Sequence, residues 1–285
     1  MRNKIIADAG SSKVEWILMS DTGKVLNRTT SDGLNALLIT EAEANAHFAA
    51  VKELLGQQES VNEVHYYGAG CATQSVCDKI QSVLQEVWQP GTINVSSDLL
   101  GAARSLFGRE RGIACILGTG SNSCLYDGNQ IEKNVPSLGY VLGDEGSGAS
   151  LGRRLISDAF KGHLPEAIKN SFKQRYNITL NDILENVYRG PKPNKYMASL
   201  VPFLSEHLWN PYIYSLVLEE FTRFIKRNIA MYPGAHSLPI AFTGSIAYYF
   251  ENILSDAIER QGYKVSKISR TPMEGLIAFH SNFRV

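Results

Sequence analysis

The sequence predicts an α/β protein of two domains in which one architecture occurs twice. Three observations carry that prediction. At 285 residues the chain is long for a single compact core. A strand, a glycine-and-hydroxyl turn, a second strand and a tight reversal occur in the same order from Ile5 and again from Ile113. Several strands end in Gly-Ser turns and run into helix-like segments, which is α/β organisation.

Composition narrows the function classes. Hydrophobic content of 44% and charged content of 20% are those of a soluble globular protein. Lys+Arg and Asp+Glu are equal at 28 each, which argues against a broad interface with nucleic acid or anionic membrane. No run is long and apolar enough to span a bilayer, and the N-terminus enters a strand with no apolar leader. Cys71, Cys77, Cys115 and Cys124 have no zinc-ribbon or C-x-x-C spacing, and Cys115 and Cys124 lie in apolar strands where core packing suits them. The expected compartment is the cytoplasm.

Taken in order, Ile5-Ile6-Ala7 reads as a buried strand ending at Asp8-Ala9-Gly10-Ser11-Ser12-Lys13. Val14 to Met19 is the next strand, reversed at Asp21-Thr22-Gly23. Asp32 to Asn35 is a loop, and Thr40 with Glu43 forms a capping box ahead of Ala44, Phe48, Val51 and Leu55 at helical spacing. Val64 to Tyr67 is a strand delivering Gly68-Ala69-Gly70-Cys71, followed by a helix from Ser75 that Pro90-Gly91 breaks. The strand Thr92–Val95 leads through Ser96-Ser97-Asp98 to a helix whose Gly101, Ala102 and Ala103 allow close packing across a domain boundary. Gly108 and Gly112 bracket a polar link, so the domains are read as 1–109 and 110–285, with the last helix able to pack back on the first domain.

The second domain opens with the strand Ile113–Leu117, the loop Gly118-Thr119-Gly120-Ser121-Asn122, and a strand reversed at Asp127-Gly128. Gly143-Asp144-Glu145-Gly146-Ser147 forms a second glycine-rich loop before a helical region. Two such loops bare backbone N–H groups and hydroxyls suited to phosphate, whereas either one alone would read as an ordinary turn. Helices are expected near 150–161, 165–175, 182–188 and 196–208, with one long helix from Tyr212 to Tyr232. A strand ending at Thr243-Gly244-Ser245, a helix to Gln261-Gly262, a strand from Tyr263 to Ile268 and a helix from Pro272 complete the chain.

The ordered set of a strand with Asp-x-Gly-Ser, a strand with Gly-Thr-Gly-Ser and a late strand with Thr-Gly-Ser resembles the phosphate-1, phosphate-2 and adenosine motifs of the actin/hexokinase/Hsp70-like ATPases. Within that superfamily, Gly118–Asn122 followed by Gly143–Ser147 resembles the N-acetylglucosamine kinases of the BadF/BadG-type ATPase family. The resemblance spans nearly the whole chain. It implies a two-domain actin-like fold, ribonuclease H-like and duplicated, with an ATP cleft between the domains. The implied activity is an ATP-dependent amino-sugar kinase acting on the 6-hydroxyl of N-acetylglucosamine.

Carried over residue by residue, the resemblance places Asp8 at the Mg²⁺ position, through water, and Gly10, Ser11 and Ser12 at the first phosphate loop. Gly118, Thr119, Gly120 and Ser121 match the second phosphate loop, and Gly244 and Ser245 the adenosine loop. Asn35, Asp98, Gly139 and Asp144 match sugar-binding positions, with Asp98 as general base. Read from the residues alone, Asp98 serves equally as base or as helix N-cap, Asp144 has the same alternative, and Asn35 is a turn residue or a sugar ligand. Ala9 and Ser11 stand where sugar kinases often have glycine, and Leu138 stands where animal members carry tryptophan.

The expected cofactors are ATP and Mg²⁺, and the expected partners a small sugar and ATP, with no nucleic acid and no membrane; a homodimer is left open. Alternative readings are a kinase of another hexosamine or an N-acetylmuramic acid derivative, or an ATP-hydrolysing activator of an acyl-CoA dehydratase or reductase. The activators resemble iron–sulfur proteins with cysteines in glycine-rich segments, and here only Cys71 fits that pattern. A sugar-responsive regulator would need a basic helix-turn-helix extension, which neither end supplies.

Overall fold

β1 (Asn3–Ala9) is the middle strand of the first sheet because it is apolar on both faces: Ile5, Ile6, Ala7 and Ala9 are fully buried. In the computed structural model, which describes residues 3–56 and 61–281, it pairs antiparallel with β2 (Lys13–Ser20) and parallel with β4 (Val61–Gly68). β3 (Val25–Asp32) and β5 (Thr92–Ser97) close the edges, giving the order β3-β2-β1-β4-β5. One core packs Trp16, Phe48, Tyr66 and Trp88 together with helices Glu41–Leu54 and Gln74–Trp88, and the Thr40–Glu43 capping box forms. A separate cluster joins Ile6, Ile17, Met19 and Tyr67 to Met273 and Leu276 of the last helix, Met273–His280.

That unit comprises the chain up to Glu110, Gly128–Gln130, and the chain from Thr271 onward. Two of its helices, Asp98–Phe107 and Met273–His280, touch closely at Gly275, where a Cβ would stand 2.2 Å from the Ser105 carbonyl oxygen. Gly101 makes room for Tyr67 of its own unit, since a Cβ there would lie 2.8 Å from Tyr67 Cβ.

The second unit, Arg111–Asp127 with Ile131–Arg270, repeats the plan. β6 (Gly112–Leu117) pairs antiparallel with β7 (Ser121–Tyr126), β7 with β8 (Ile131–Val135), and β6 runs parallel with β9 (Ile240–Thr243), which pairs with β10 (Val265–Ser269). Its order, β10-β9-β6-β7-β8, is that of the first sheet read from the other edge. A hairpin pair followed by two parallel crossovers has therefore been built twice. The core of this unit gathers Phe203, Phe221, Phe224 and Phe242 with the aliphatic faces of helices Gly148–Lys161, Pro211–Arg227 and Glu251–Arg260.

The helical stretches are more broken than their apolar spacing predicts. The expected helix 196–208 divides into Pro193–Ser199 and Val201–Glu206, because Pro202 has no N–H to continue the first helix. The long helix stops at Arg227, and Ile229–Met231 tightens to a 3₁₀ turn. The helix after Ser245 breaks at Phe250, and residues 184–189 widen to a π turn after Leu180–Ile183. Cys115 and Cys124 are fully buried in the second sheet, where they serve packing. Among the described residues, no helix is long and apolar enough to cross a membrane.

Candidate active site

The first unit aligns the carboxyl ends of three parallel strands. Ala9 pairs with Gly68, and Gly68 with Ser97, so the turns after β1, β4 and β5 leave the sheet in one row. Ligands of open α/β sheets bind outside such ends. Asp8 is the penultimate residue of β1, just before the first turn. The loop Gly10–Ser12 is held by Gly10 N–H on Lys13 O at 3.0 Å and by Leu34 N–H on Gly10 O at 3.1 Å. Gly33 presses on this loop so closely that a Cβ would lie 2.3 Å from Ser11 O. Gly70, in the left-handed region at φ +84, does the same for Asn35, whose Oδ1 would be 2.3 Å from its Cβ. Asn35 Oδ1 also accepts the Leu37 N–H at 3.0 Å, so the turn role is real whatever else it does.

Asp98 is the first residue of its helix and not its cap. Ser97 caps the helix, its hydroxyl accepting the Leu100 N–H at 3.2 Å, while Asp98 accepts the Leu99 N–H at 2.9 Å. Burial raises the Asp98 carboxyl above its usual range, and the Leu99 N–H opposes the rise. Asp8 is pushed up to about 7, chiefly by burial, then by the negative charges of Asp98 and Glu15, with Lys13 opposing. Glu15 lies directly across the β1–β2 ladder from Asp8 and is 3% exposed, held by Arg28 Nε at 2.6 Å; Arg28 in turn bonds Glu274 at 2.8 Å. Three carboxylates thus share one region with a deficit of positive charge.

In the second unit three loops meet. The carbonyls of Gly118 and Thr119 accept the N–H groups of Gly148 at 2.8 Å and Ala149 at 3.0 Å, which fastens the glycine loop to the start of helix Gly148–Lys161. Gly244, at φ +117, brings the third loop against it, because a Cβ would stand 2.3 Å from Leu117 O. Asp144 occupies the left-handed region at φ 55, and its Oδ1 accepts the Ser121 N–H at 3.1 Å. It too is not a cap. Ser147 caps the following helix through the Ser150 N–H at 3.2 Å. Burial pushes Asp144 up to about 6, the Ser121 N–H lowering it and Glu145 adding to the rise. The loop before Asp144 is pinched at its base, with Asp144 N–H on Ser137 O at 3.2 Å and no room for a Cβ at Gly143.

No family model and no curated protein sequence matches the chain. Among solved structures, one from Porphyromonas gingivalis, described as a candidate N-acetylglucosamine kinase, is 42% identical with a TM-score of 0.95, each chain covered in full. The chain belongs to the N-acetylglucosamine kinase family. A second candidate N-acetylglucosamine kinase, from Chromobacterium violaceum, shares the fold at TM-score 0.77 and 18% identity, over 98% of this chain and 99% of that one. A ROK-family glucokinase from Streptomyces griseus, solved with glucose and AMPPNP, shares it at TM-score 0.56 and 14% identity, over 99% of both chains. The two-domain actin-like sugar-kinase fold is thereby shown.

Within this family member, the first unit holds Asp8, Gly10, Ser11, Ser12, Asn35 and Asp98, and the second holds Gly118, Thr119, Gly120, Ser121, Gly139, Asp144, Gly244 and Ser245. Ser11 and Ser245 are exposed; Gly139, at φ 70, has open space beside it at the head of the turn 139–142. Glu15 and Gly33 escaped the sequence reading. Glu15 had a signal, a lone carboxylate in an otherwise apolar strand register opposite Asp8. Gly33 had none, because its role is a tertiary approach to a loop 22 residues earlier, at Ser11.

Proposed function

We propose that the protein is an ATP-dependent amino-sugar kinase that phosphorylates the 6-hydroxyl of N-acetylglucosamine. The observation that carries this reading is the full-length, 42% identical relative described as a candidate N-acetylglucosamine kinase. The local geometry suits the chemistry. Phosphoryl transfer asks a protein mainly for positioning and charge neutralisation. The Gly118–Ser121 loop, stiffened by helix Gly148–Lys161, would receive polyphosphate through its Gly120 N–H, because the Gly118 and Ser121 N–H groups already donate to Gly120 O and Asp144 Oδ1, and Gly10–Ser12 forms a second glycine-hydroxyl loop.

Asp98 is the proposed general base. Its raised proton affinity and strand-end position suit a carboxylate that takes the proton of the 6-hydroxyl as the oxygen bonds to phosphorus and the bond to the ADP oxygen breaks. Asp144, locked by Ser121, is proposed to accept hydrogen bonds from sugar hydroxyls, with Gly139 as a further sugar-binding position of the second unit and Asn35 as one of the first. Gly244 and Ser245 are proposed to flank the nucleoside.

Asp8 is the proposed Mg²⁺ position. No group of three or more metal-ligating side chains is assembled among the described residues. Magnesium does not need one, since it keeps several waters and uses one or two carboxylates with substrate phosphates. The buried Asp8 carboxyl, with Asp98 nearby and Glu15 already paired with Arg28, fits a divalent cation held in that way. When bound, Mg²⁺ would neutralise charge on the β- and γ-phosphates. The test is ADP release across a panel of amino sugars and N-acetylmuramic acid derivatives. N-acetylglucosamine should give the highest kcat/KM, and sugar-independent ADP release would favour the ATPase-activator reading.

A further inference from the structure

The aligned ends of β9 and β10 carry an unexplained cluster. Thr243 and Ser269 are register partners at the last row of the parallel sheet, and the Gly244 N–H donates to Ser269 O at 3.1 Å. Their hydroxyl oxygens are buried and have no hydrogen-bond partner, unlike most buried polar atoms. Thr243 is only 2% exposed, so water on its surface does not account for its placement. One helical turn beyond Gly244, two large aromatic rings do the opposite and face solvent. Tyr248 is 45% and Tyr249 54% exposed, with ring centroids 5.5 Å apart in a T-shaped pair. Arg270, the residue after β10, lays its guanidinium 5.5 Å from the Tyr249 ring centroid.

Flat rings left in water beside a pinned guanidinium make a stacking surface, because every nucleobase has a π-face that aromatic and Arg planes accept. The surface lies on the phosphate side of the sheet. Gly244 separates it from Leu117 and Gly118 by a contact so tight that no Cβ fits, so a polyphosphate on the Gly118–Ser121 loop would carry its nucleoside towards these strand ends.

We propose that Tyr248, Tyr249 and Arg270 form a nucleobase platform that stacks the purine ring of the phosphate donor and sets its preference for a purine nucleotide. This rests on the reading of the chain as an ATP-dependent kinase. It assigns binding of the base to three side chains outside the glycine motif.

The test compares ADP and inorganic tripolyphosphate as calorimetric probes of the full-length protein. Replacing both rings, Tyr248→Ala with Tyr249→Ala, should weaken ADP at least about 5-fold while leaving tripolyphosphate binding unchanged. Tyr249→Trp should retain ADP binding, and Arg270→Gln should weaken ADP more than tripolyphosphate. The rings are exposed, so an unchanged melting temperature is expected and separates lost stacking from misfolding. Equal ADP affinity in the double variant and the wild type overturns the platform and leaves the kinase reading standing. Equal loss of both probes in a folded double variant also overturns it. A wild type that binds no ADP overturns both.

Discussion

Gly120 and Asp144 are fitted to each other: a Cβ on Gly120 would stand 3.0 Å from Asp144 Oδ2 and 3.2 Å from Oδ1. The glycine thus has a second task besides baring N–H groups. It leaves room for a buried carboxylate that the neighbouring Ser121 N–H holds. The proposed phosphate loop and the proposed sugar ligand are one mechanical piece.

Gly120→Ala should therefore affect the sugar first. The added methyl pushes the Asp144 carboxylate by a few tenths of an ångström against its Ser121 bond. We expect kcat/KM for N-acetylglucosamine to fall by about 10-fold or more, with ADP affinity changed less. Steady-state kinetics against titration of ADP checks the split. Loss of ADP binding with an unchanged sugar KM would contradict the fit.

Asp98 and Ser97 allow cap and base to be separated, because they are different residues here. Ser97→Ala removes the cap and should cost about 0.5–2 kcal/mol of stability by thermal or denaturant unfolding. Asp98→Asn keeps an acceptor for the Leu99 N–H and should change stability little, while phosphoryl transfer falls ~10²–10⁴-fold. Near-normal turnover in Asp98→Asn would leave the proton to water or to phosphate.

The raised carboxyls make a pH signature. Asp8 at about 7 and Asp144 at about 6 both lie above the ordinary value of 3.8. Their protonated forms stabilise the fold, so that contribution is complete below about pH 4 and is lost as pH rises through about 6 to 7. His280 works in the other direction. Burial and the neighbouring His65, Arg104 and Lys4 lower it to about 2, so its contribution is present above an ordinary 6.5 and is lost as pH falls below that. Metal-free Asp8→Asn and Asp144→Asn should each lose less melting temperature than wild type between about pH 4 and about pH 7. Parallel curves would place these carboxyls in water.

The last helix should report through Gly275. A Cβ there meets the Ser105 backbone at 2.2 Å, and the helix also carries Glu274 to Arg28 and His280 to the Tyr67 hydroxyl at 2.8 Å. Gly275→Val should destabilise by about 1–3 kcal/mol through overpacking. Hydrogen exchange should rise first in residues 273–280 and in helix Asp98–Phe107. Uniform loss of protection would mean that this helix is not a separate weak point.

Much of this was legible because turn chemistry is local. Asp8-Ala9-Gly10-Ser11, Gly118-Thr119-Gly120-Ser121 and Thr243-Gly244-Ser245 announced strand ends, and the repeated hairpin announced two sheets of one topology. The capping box at Thr40 and Glu43 was equally local and forms as read. What stayed hidden depends on distant contacts. Gly33 against Ser11, Gly70 against Asn35 and Gly244 against Leu117 are close approaches between segments that only the folded chain brings together. The capping role of Ser97 hid for a smaller reason, since Asp98 beside it is as good a cap on propensity alone and only the hydrogen bonds distinguish them. Apolar spacing also overran Pro202 and Phe250, because periodicity does not register where a helix breaks between two faces of one core.

The central claim is the transfer itself, and it is tested most directly by identifying the product. The full-length protein with ATP, Mg²⁺ and N-acetylglucosamine should yield one equivalent of ADP per sugar phosphate formed. Phosphorus–proton correlated NMR should connect the new phosphate to the two protons on carbon 6. Phosphate attached at another carbon would contradict the assigned hydroxyl, and ADP and inorganic phosphate formed with the sugar unchanged would contradict the kinase.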